Sequence, residues 1–288
     1  MTAIRTEGKI NEDTTLIDVM MLGQKGGIAM YLIESGEKCL IDGGVSIQAQ
    51  YLIESLEKLN SFPPDIIIIT HAHWDHTQAI PAFREKAAEL GKKIEVMASK
   101  EAIPLLKDQS FNDIFNMGPY ENIDDVTPLS EGDTIDLKGI TLKIFDVPGH
   151  SRDHIAILDE RNKNIFVGDA IGSKLTDDTA SPAFMPPFFD KEVYYESMKK
   201  LKDIDYDTLC LSHFGYIYGE EAKTILDEEI DTLEKWWQLF EDNMSKFDDI
   251  NYMADTIIRN CYPKTINEEE TKIGLLFAVP WFIQAFKI

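Results

Sequence analysis

Residues 65–76 read Asp65-Ile66-Ile67-Ile68-Ile69-Thr70-His71-Ala72-His73-Trp74-Asp75-His76. Four isoleucines behind Pro63-Pro64 form the continuous apolar run of a strand buried on both faces. The run ends at Thr70, and three histidines and an aspartate follow where the strand gives way to a loop. In an extended turn, residues two apart project to one side, so His71 and His73 can grip one ion. Asp75 and His76, just past the bend, can address a second. Imidazole and carboxylate together suit borderline divalent ions such as zinc or ferrous iron. The chain has six histidines in all, and a surface loop that merely contains them is the weaker reading of three in six residues. The cluster is also incomplete, because two ions need further ligands.

Three other strand ends offer them. Val147-Pro148-Gly149-His150 ends a strand with a turn that aims a histidine inward. Phe166-Val167-Gly168-Asp169 ends the next apolar run with a carboxylate suited to bridging, and Leu211-Ser212-His213-Phe214-Gly215 ends the last with another histidine. Taken singly, each reads as a turn former. Taken together, they supply one missing ligand per ion and a bridge. His154 is the remaining histidine, read as a hydrogen-bonded support beside the site or as a proton-transfer group.

Around these strand ends the pattern is α/β. Strands are expected over 15–22, 28–34 and 38–41, and a helix over 46–59 through Ile47, Tyr51, Leu52, Leu56 and Leu59. A helix follows the histidine loop, with Pro81 in its first turn and Gly91 at its end. Then come strand 94–98, helix 99–107, strands 140–147, 154–158 and 164–168, helix 191–202 and strand 207–211. From about Tyr218 no further strand is recognisable, and 219–247 and 265–288 read as helices.

Composition narrows the partners. The chain carries 28 basic against 51 acidic side chains, a formal charge of −23. That surface repels phosphate backbones, so nucleic acid is not expected as a partner. The three cysteines, Cys39, Cys210 and Cys261, are far apart and odd in number, which fits a reducing cytoplasm better than a disulfide framework. Residues 1–11 contain no apolar signal core. The most apolar stretch, 274–288, is shorter than a membrane span and holds Pro280 and Gln284. It reads as a buried helix, and stable membrane insertion is not expected.

Asp42 of the Asp42-Gly43-Gly44 turn, the HxHxDH run, His150, Asp169 and His213, in that order, resemble the metallo-β-lactamase superfamily over about residues 15–218. The resemblance implies an αββα sandwich with metals at one edge of the sheets. It implies His71, His73 and His150 on a first ion, Asp75, His76 and His213 on a second, and Asp169 between them. Residues 1–218 are then a catalytic domain, and 219–288 a C-terminal helical extension acting as lid, packing surface or dimer contact. Asp42 is expected to orient the metal loop by hydrogen bonding. One departure is Gln78, where members often carry a glycine two residues after the motif's last histidine.

The chemistry expected of such a site is hydrolysis. Two divalent ions, zinc foremost with iron or manganese as alternatives, would activate a bridging hydroxide without a serine or cysteine nucleophile. Asp75 would orient it, and His154 or a tyrosine would protonate the leaving group. The substrate is expected to be a small ester, thioester, lactone or phosphoester with an apolar portion. Residues 181–189, SPAFMPPFF, could wall its pocket, with Tyr194, Tyr195, Tyr216 and Tyr218 as polar contacts and Trp236, Trp237, Phe240 and the apolar run 275–286 in a lid. Two other readings compete: an iron-dependent oxygenase or oxygen-reducing di-iron protein on the same fold, and a ligand-binding regulator. The flavodiiron group places glutamate where His73 stands, which argues against that version.

Overall fold

The computed structural model describes residues 3–176, 179–263 and 267–287. Seven strands form the first sheet in sequence order: β1 (Gly8–Lys9), β2 (Thr14–Asp18), β3 (Ala29–Glu34), β4 (Lys38–Ile41), β5 (Ile66–Ile69), β6 (Glu95–Ser99) and β7 (Val126–Leu129). Pairing is antiparallel from β1 to β4 and parallel from β4 to β7. The parallel half needs crossover helices, supplied by α1 (Ala49–Lys58), the single turn α2 (Trp74–Thr77), α3 (Ile80–Glu89) and α4 (Ile103–Lys107).

The second sheet contains β8 (Thr134–Asp136), β9 (Thr141–Asp146), β10 (Ile155–Asp159) and β11 (Asn164–Phe166), and, after a separate hairpin of β12 (Ser173–Thr176) and β13 (Thr179–Ser181), also β14 (Thr208–Leu211) and β15 (Gly215–Tyr218). Its order is β15-β14-β11-β10-β9-β8. Its outer face carries α5 (Lys191–Asp203), α6 (Glu221–Asp242), α7 (Ile250–Cys261) and α8 (Glu268–Phe286).

Side-chain alternation builds the layers. Ile66 and Ile68 point into the core between the sheets with Leu142, Ile144, Ile155 and Ile157. Ile67 and Ile69 point the other way, onto Leu52, Leu56 and Phe83 of α1 and α3. Ala156, Leu158 and Leu209 meet Met198, Trp236, Phe240 and Phe282 on the outer face of the second sheet. Helix, sheet, sheet and helix therefore stack as an αββα sandwich, and the helices after Tyr218 share one apolar core with α5 and the second sheet. Among the described residues, no helix is long and apolar enough to cross a membrane.

Several elements differ from expectation. The strand expected over 15–22 stops at Asp18, whose carboxylate accepts from the Met20 and Gly26 amides (both 2.9 Å). Those bonds turn the chain away from the sheet, through left-handed Met20 and Leu22. β7, β8, β15 and α7 were not anticipated: the strands are short edge pieces, β7 contains Pro128, and α7 starts from an Asp249 cap onto the Tyr252 amide. The helices expected over 219–247 and 265–288 are α6 and α8, with 265, 266 and 288 outside the described residues.

Candidate metal centre

The histidine loop is held by its backbone. The Thr70 amide donates to Asp42 (2.8 Å), the Ala72 amide to Asp153 (2.8 Å), and the Trp74 amide to Asn112 (3.2 Å). Three alternate buried amides thus end on side-chain acceptors, while His71 and His73 between them turn to the site. Asp42 takes up left-handed backbone at the end of β4 (φ 64°). It also accepts from Thr70 Oγ1 (3.0 Å) and from His76 Nδ1 (2.8 Å). The expected orienting role of Asp42 matches this geometry.

One group of donors is purely imidazole. His71 Nε2 and His150 Nε2 each lie 3.0 Å from His73 Nδ1. Nitrogens bound tetrahedrally to one zinc ion lie about 3.3 Å apart, so the three converge on a site of that size. His150 Nδ1 donates to the Ala183 carbonyl (2.5 Å), and His71 Nδ1 meets Thr70 Oγ1 at 3.1 Å. Both rings therefore carry their proton on Nδ1 and offer the Nε2 lone pair inward. Burial, with the neighbouring imidazoles, holds His71 and His73 well below the ordinary histidine value, and burial lowers His150 too. Neutral imidazole is the form that ligates.

The second group mixes charge. His76 Nε2 lies 3.4 Å from Asp169 Oδ1 and 3.8 Å from Asp75 Oδ1. His213 Nε2 lies 3.1 Å from Asp169 Oδ2 and 3.7 Å from Asp75 Oδ2. Burial pulls the pKa of His213 down, but Asp169 and Asp75 outweigh it and raise the ring to about 9. His76 is raised in the same way, burial being outweighed by Asp169, Asp42 and Asp75. Asp169 Oδ2 also comes within 3.6 Å of His150 Nε2 and 4.0 Å of His71 Nε2. One carboxylate therefore reaches both groups. His76 Nε2 and Asp169 Oδ1 are buried without a hydrogen bond, as two atoms left for a shared cation would be. Five imidazoles and two carboxylates converging in this way fit divalent metal.

The remaining expected residues fall differently. His154 Nε2 accepts from the Asp169 amide (2.9 Å), and its ring stacks on His71 with centroids 4.7 Å apart. With Nε2 accepting there, its proton sits on buried Nδ1, and these contacts are those of a support for the Asp169 turn. That turn needs Gly168: its φ is +51°, and a Cβ there would come within 2.7 Å of His154 and Thr70 Oγ1. Gly149 is equally constrained, because a Cβ would collide with the Tyr194 backbone.

Tyr194 is buried behind that turn, Tyr195 bonds Glu234 at the surface, and Tyr216 and Tyr218 lie on β15, half-buried and exposed respectively. Trp236 and Phe240 are buried in the outer core rather than forming a lid. Thr70, Asn112, Asp153 and Gln78 were missed as supports. Gln78 donates to the Met117 and Pro119 carbonyls (3.0 and 2.9 Å) and accepts from the Ser46 amide (3.2 Å). No spacing in the sequence signals these partners, which lie 32–41 residues away.

Comparison with known proteins agrees with this geometry. The family model described as the metallo-beta-lactamase superfamily matches residues 23–213. A metallo-beta-lactamase fold-containing protein of Sulfurisphaera tokodaii is 27% identical over 70% of this chain and 80% of its own length. The solved structure of that archaeal protein superposes with a TM-score of 0.55 at 21% identity, covering 72% of this chain and 80% of that one. An atrochrysone carboxyl ACP thioesterase of Aspergillus fumigatus is 24% identical over 74% of this chain, and hydroxyacylglutathione hydrolase 1 of Vibrio vulnificus is 25% identical over 63%. The matches span only 58% and 60% of those two relatives.

Proposed function

Because the chain belongs to the metallo-β-lactamase superfamily, we propose that it is a metal-dependent hydrolase of small esters or thioesters. The observation that carries this reading is Asp169, whose two oxygens reach both donor groups at 3.1–4.0 Å. His71, His73 and His150 would hold one ion, and Asp75, His76 and His213 a second, with Asp169 shared. When bound, two divalent ions, zinc foremost, supply Lewis acidity and bring a shared water's pKa to about 7.

The chain's own residues do the rest. Asp75, 12% exposed at its side chain and with Oδ2 3.7 Å from His213 Nε2, would orient the attacking water. Asp42 keeps His76 with its lone pair inward, and Ala183 does the same for His150. With His154 Nε2 accepting from the Asp169 amide rather than facing a leaving group, a leaving group that departs unprotonated is favoured. A thiolate, with pKa about 8.5, departs without a proton far more readily than an amine. Thioesters and activated esters are therefore favoured over amides. The printed names of two relatives, a thioesterase and a hydroxyacylglutathione hydrolase, point the same way.

The test is metal analysis of Asp169→Ala alongside hydrolysis of 4-nitrophenyl acetate and an acyl N-acetylcysteamine thioester. The variant should lose at least one ion per chain and at least about 100-fold in kcat/KM. Full metal retention would sink the ligand assignment. A metal-replete wild type that turns over no ester, but consumes oxygen when loaded with iron, would replace hydrolysis with redox chemistry.

A further inference from the structure

Aromatic rings leave His73 in two branches, one through Phe115 to Trp281 and one through Phe111 to Phe188. Phe115 lies edge-on to His73 with centroids 5.3 Å apart, and Phe111 lies 6.2 Å from the same ring. Trp281 meets Phe115 edge-on at 5.3 Å, and Phe188 lies 5.5 Å from Phe111. At the end of the second branch the guanidinium of Arg152 sits over the Phe188 ring, 4.5 Å from its centroid. Phe111, Phe188 and Trp281 are all only partly buried.

Topology makes these branches more than packing. Trp281 belongs to α8 and Phe188 to the loop before α5, both in the helical layer of the second sheet. Yet both pack against the helical core of the first sheet. Two sheets separate those layers, so the contact has to pass around the sandwich edge, where His73 lies. The apolar run of α8 and the aromatic end of residues 181–189 thus meet beside the metal centre.

Arg152 is the second observation. The chain has 51 acidic side chains, yet among the described residues this exposed guanidinium lies against an aromatic ring and in no ion pair. It is two residues from His150. A guanidinium stacked on a ring keeps its edge donors free for a planar anion.

We propose that the two aromatic branches beside His73, ending at Trp281 and at Phe188, bind the apolar body of the substrate, and that Arg152 meets a carboxylate at the Phe188 end. The substrate is then an acyl or aryl ester or thioester that carries its own carboxylate. The proposal rests on the hydrolase reading, which the same experiment tests separately. Dispersion and area burial against three or four rings supply affinity, while the single cation selects a monoanion that the acidic surface would otherwise repel.

The experiment measures kcat/KM of the metal-replete protein for three probes: 4-nitrophenyl acetate, 4-nitrophenyl octanoate, and the mono-4-nitrophenyl ester of octanedioic acid. Wild type should prefer the octanedioate ester to the octanoate, and the octanoate to the acetate. Trp281→Ala should lose about tenfold on both long probes with acetate turnover and metal content unchanged, and Trp281→Phe should recover most of it. Arg152→Gln should lose about tenfold on the octanedioate ester alone. Equal losses on all three probes, or no loss in either variant, would overturn the proposal, leaving an aromatic cluster of purely structural use. Absence of turnover by metal-replete wild type on every probe would instead overturn the hydrolase reading.

Discussion

Glu229 is the least comfortable side chain in the molecule. It is fully buried on α6, and neither of its oxygens completes a hydrogen bond. The amides of Gly172 and Ala183 face it, with Tyr194 from α5, Lys174 from β12 and Glu228 on its own helix nearby. Burial pushes the carboxyl up to about 8 from an ordinary 4.5, with Glu228 adding to the rise and the two amides and Lys174 opposing it. The native state therefore holds a proton that the unfolded chain has already released. This group's contribution to stability falls as pH rises from about 4.5 to about 8 and levels off above, a loss on the order of 5 kcal/mol. Glu229→Gln removes that slope and keeps the shape. Chemical denaturation at pH 5 and pH 8 should show the wild type losing more stability than the variant across the interval. Parallel pH profiles would mean that water reaches the carboxyl. Because Ala183 also orients His150, the same site links α6 to the imidazole group.

At the scale of elements, legibility followed whether a signal was local. The isoleucine run, the six-residue histidine loop and the Gly-Asp and Gly-His strand ends carry their meaning within a few residues, so β5 and the donor set could be read directly. The segment 109–115 could not. It is a 3-10 turn whose Asn112 clamps the loop through the Ala72 carbonyl and the Trp74 amide, and only the folded chain brings them together. The same holds for α8. Its apolar run reads as a buried helix, and Val279, Phe282 and Ile283 are buried. The expectation that 275–286 could lie over the site does not say which residue leaves that core, Trp281 against Phe115, or that Ile273 and Phe277 stay 62% and 68% exposed. The shared core decides what α6–α8 contribute. Trp236, Phe240 and Phe282 bury large rings against the second sheet, and truncating one such ring costs about 3–5 kcal/mol. A chain ending at Tyr218 loses all of them at once, about 9–15 kcal/mol, which is comparable to the whole stability of a typical domain. It should be insoluble or lack a cooperative melting transition by circular dichroism. A cooperative melt would establish residues 1–218 as a self-sufficient unit.

On the proposed reading, metal uptake would be coupled to protons across the whole molecule. His213, at about 9, and His76, also raised, keep protons in the metal-free fold because carboxylates surround them, whereas His71, His73 and His150 are already neutral. For the raised pair, the sign is fixed by linkage. Below the ordinary value of 6.5 their charge–carboxylate pairing stabilises the metal-free fold in full, and that stabilisation fades as pH climbs through about 9. An ion at the second group replaces those two protons, so the bound form gains on the free form over the same interval. Each displaced proton contributes about tenfold in affinity per pH unit while its histidine is protonated, giving up to about 100-fold for the pair. The gap in melting temperature between zinc-loaded and metal-free protein should therefore widen from pH 6.5 to pH 9 at fixed free zinc. A gap that stays constant would show that zinc binds without displacing these protons, and would remove His76 and His213 from its coordination. Lowering salt should speed zinc association, because the formal charge of −23 draws cations to the surface, but it should leave the pH trend intact. The surface sets how fast the ion arrives, and the buried histidines set how tightly it is held.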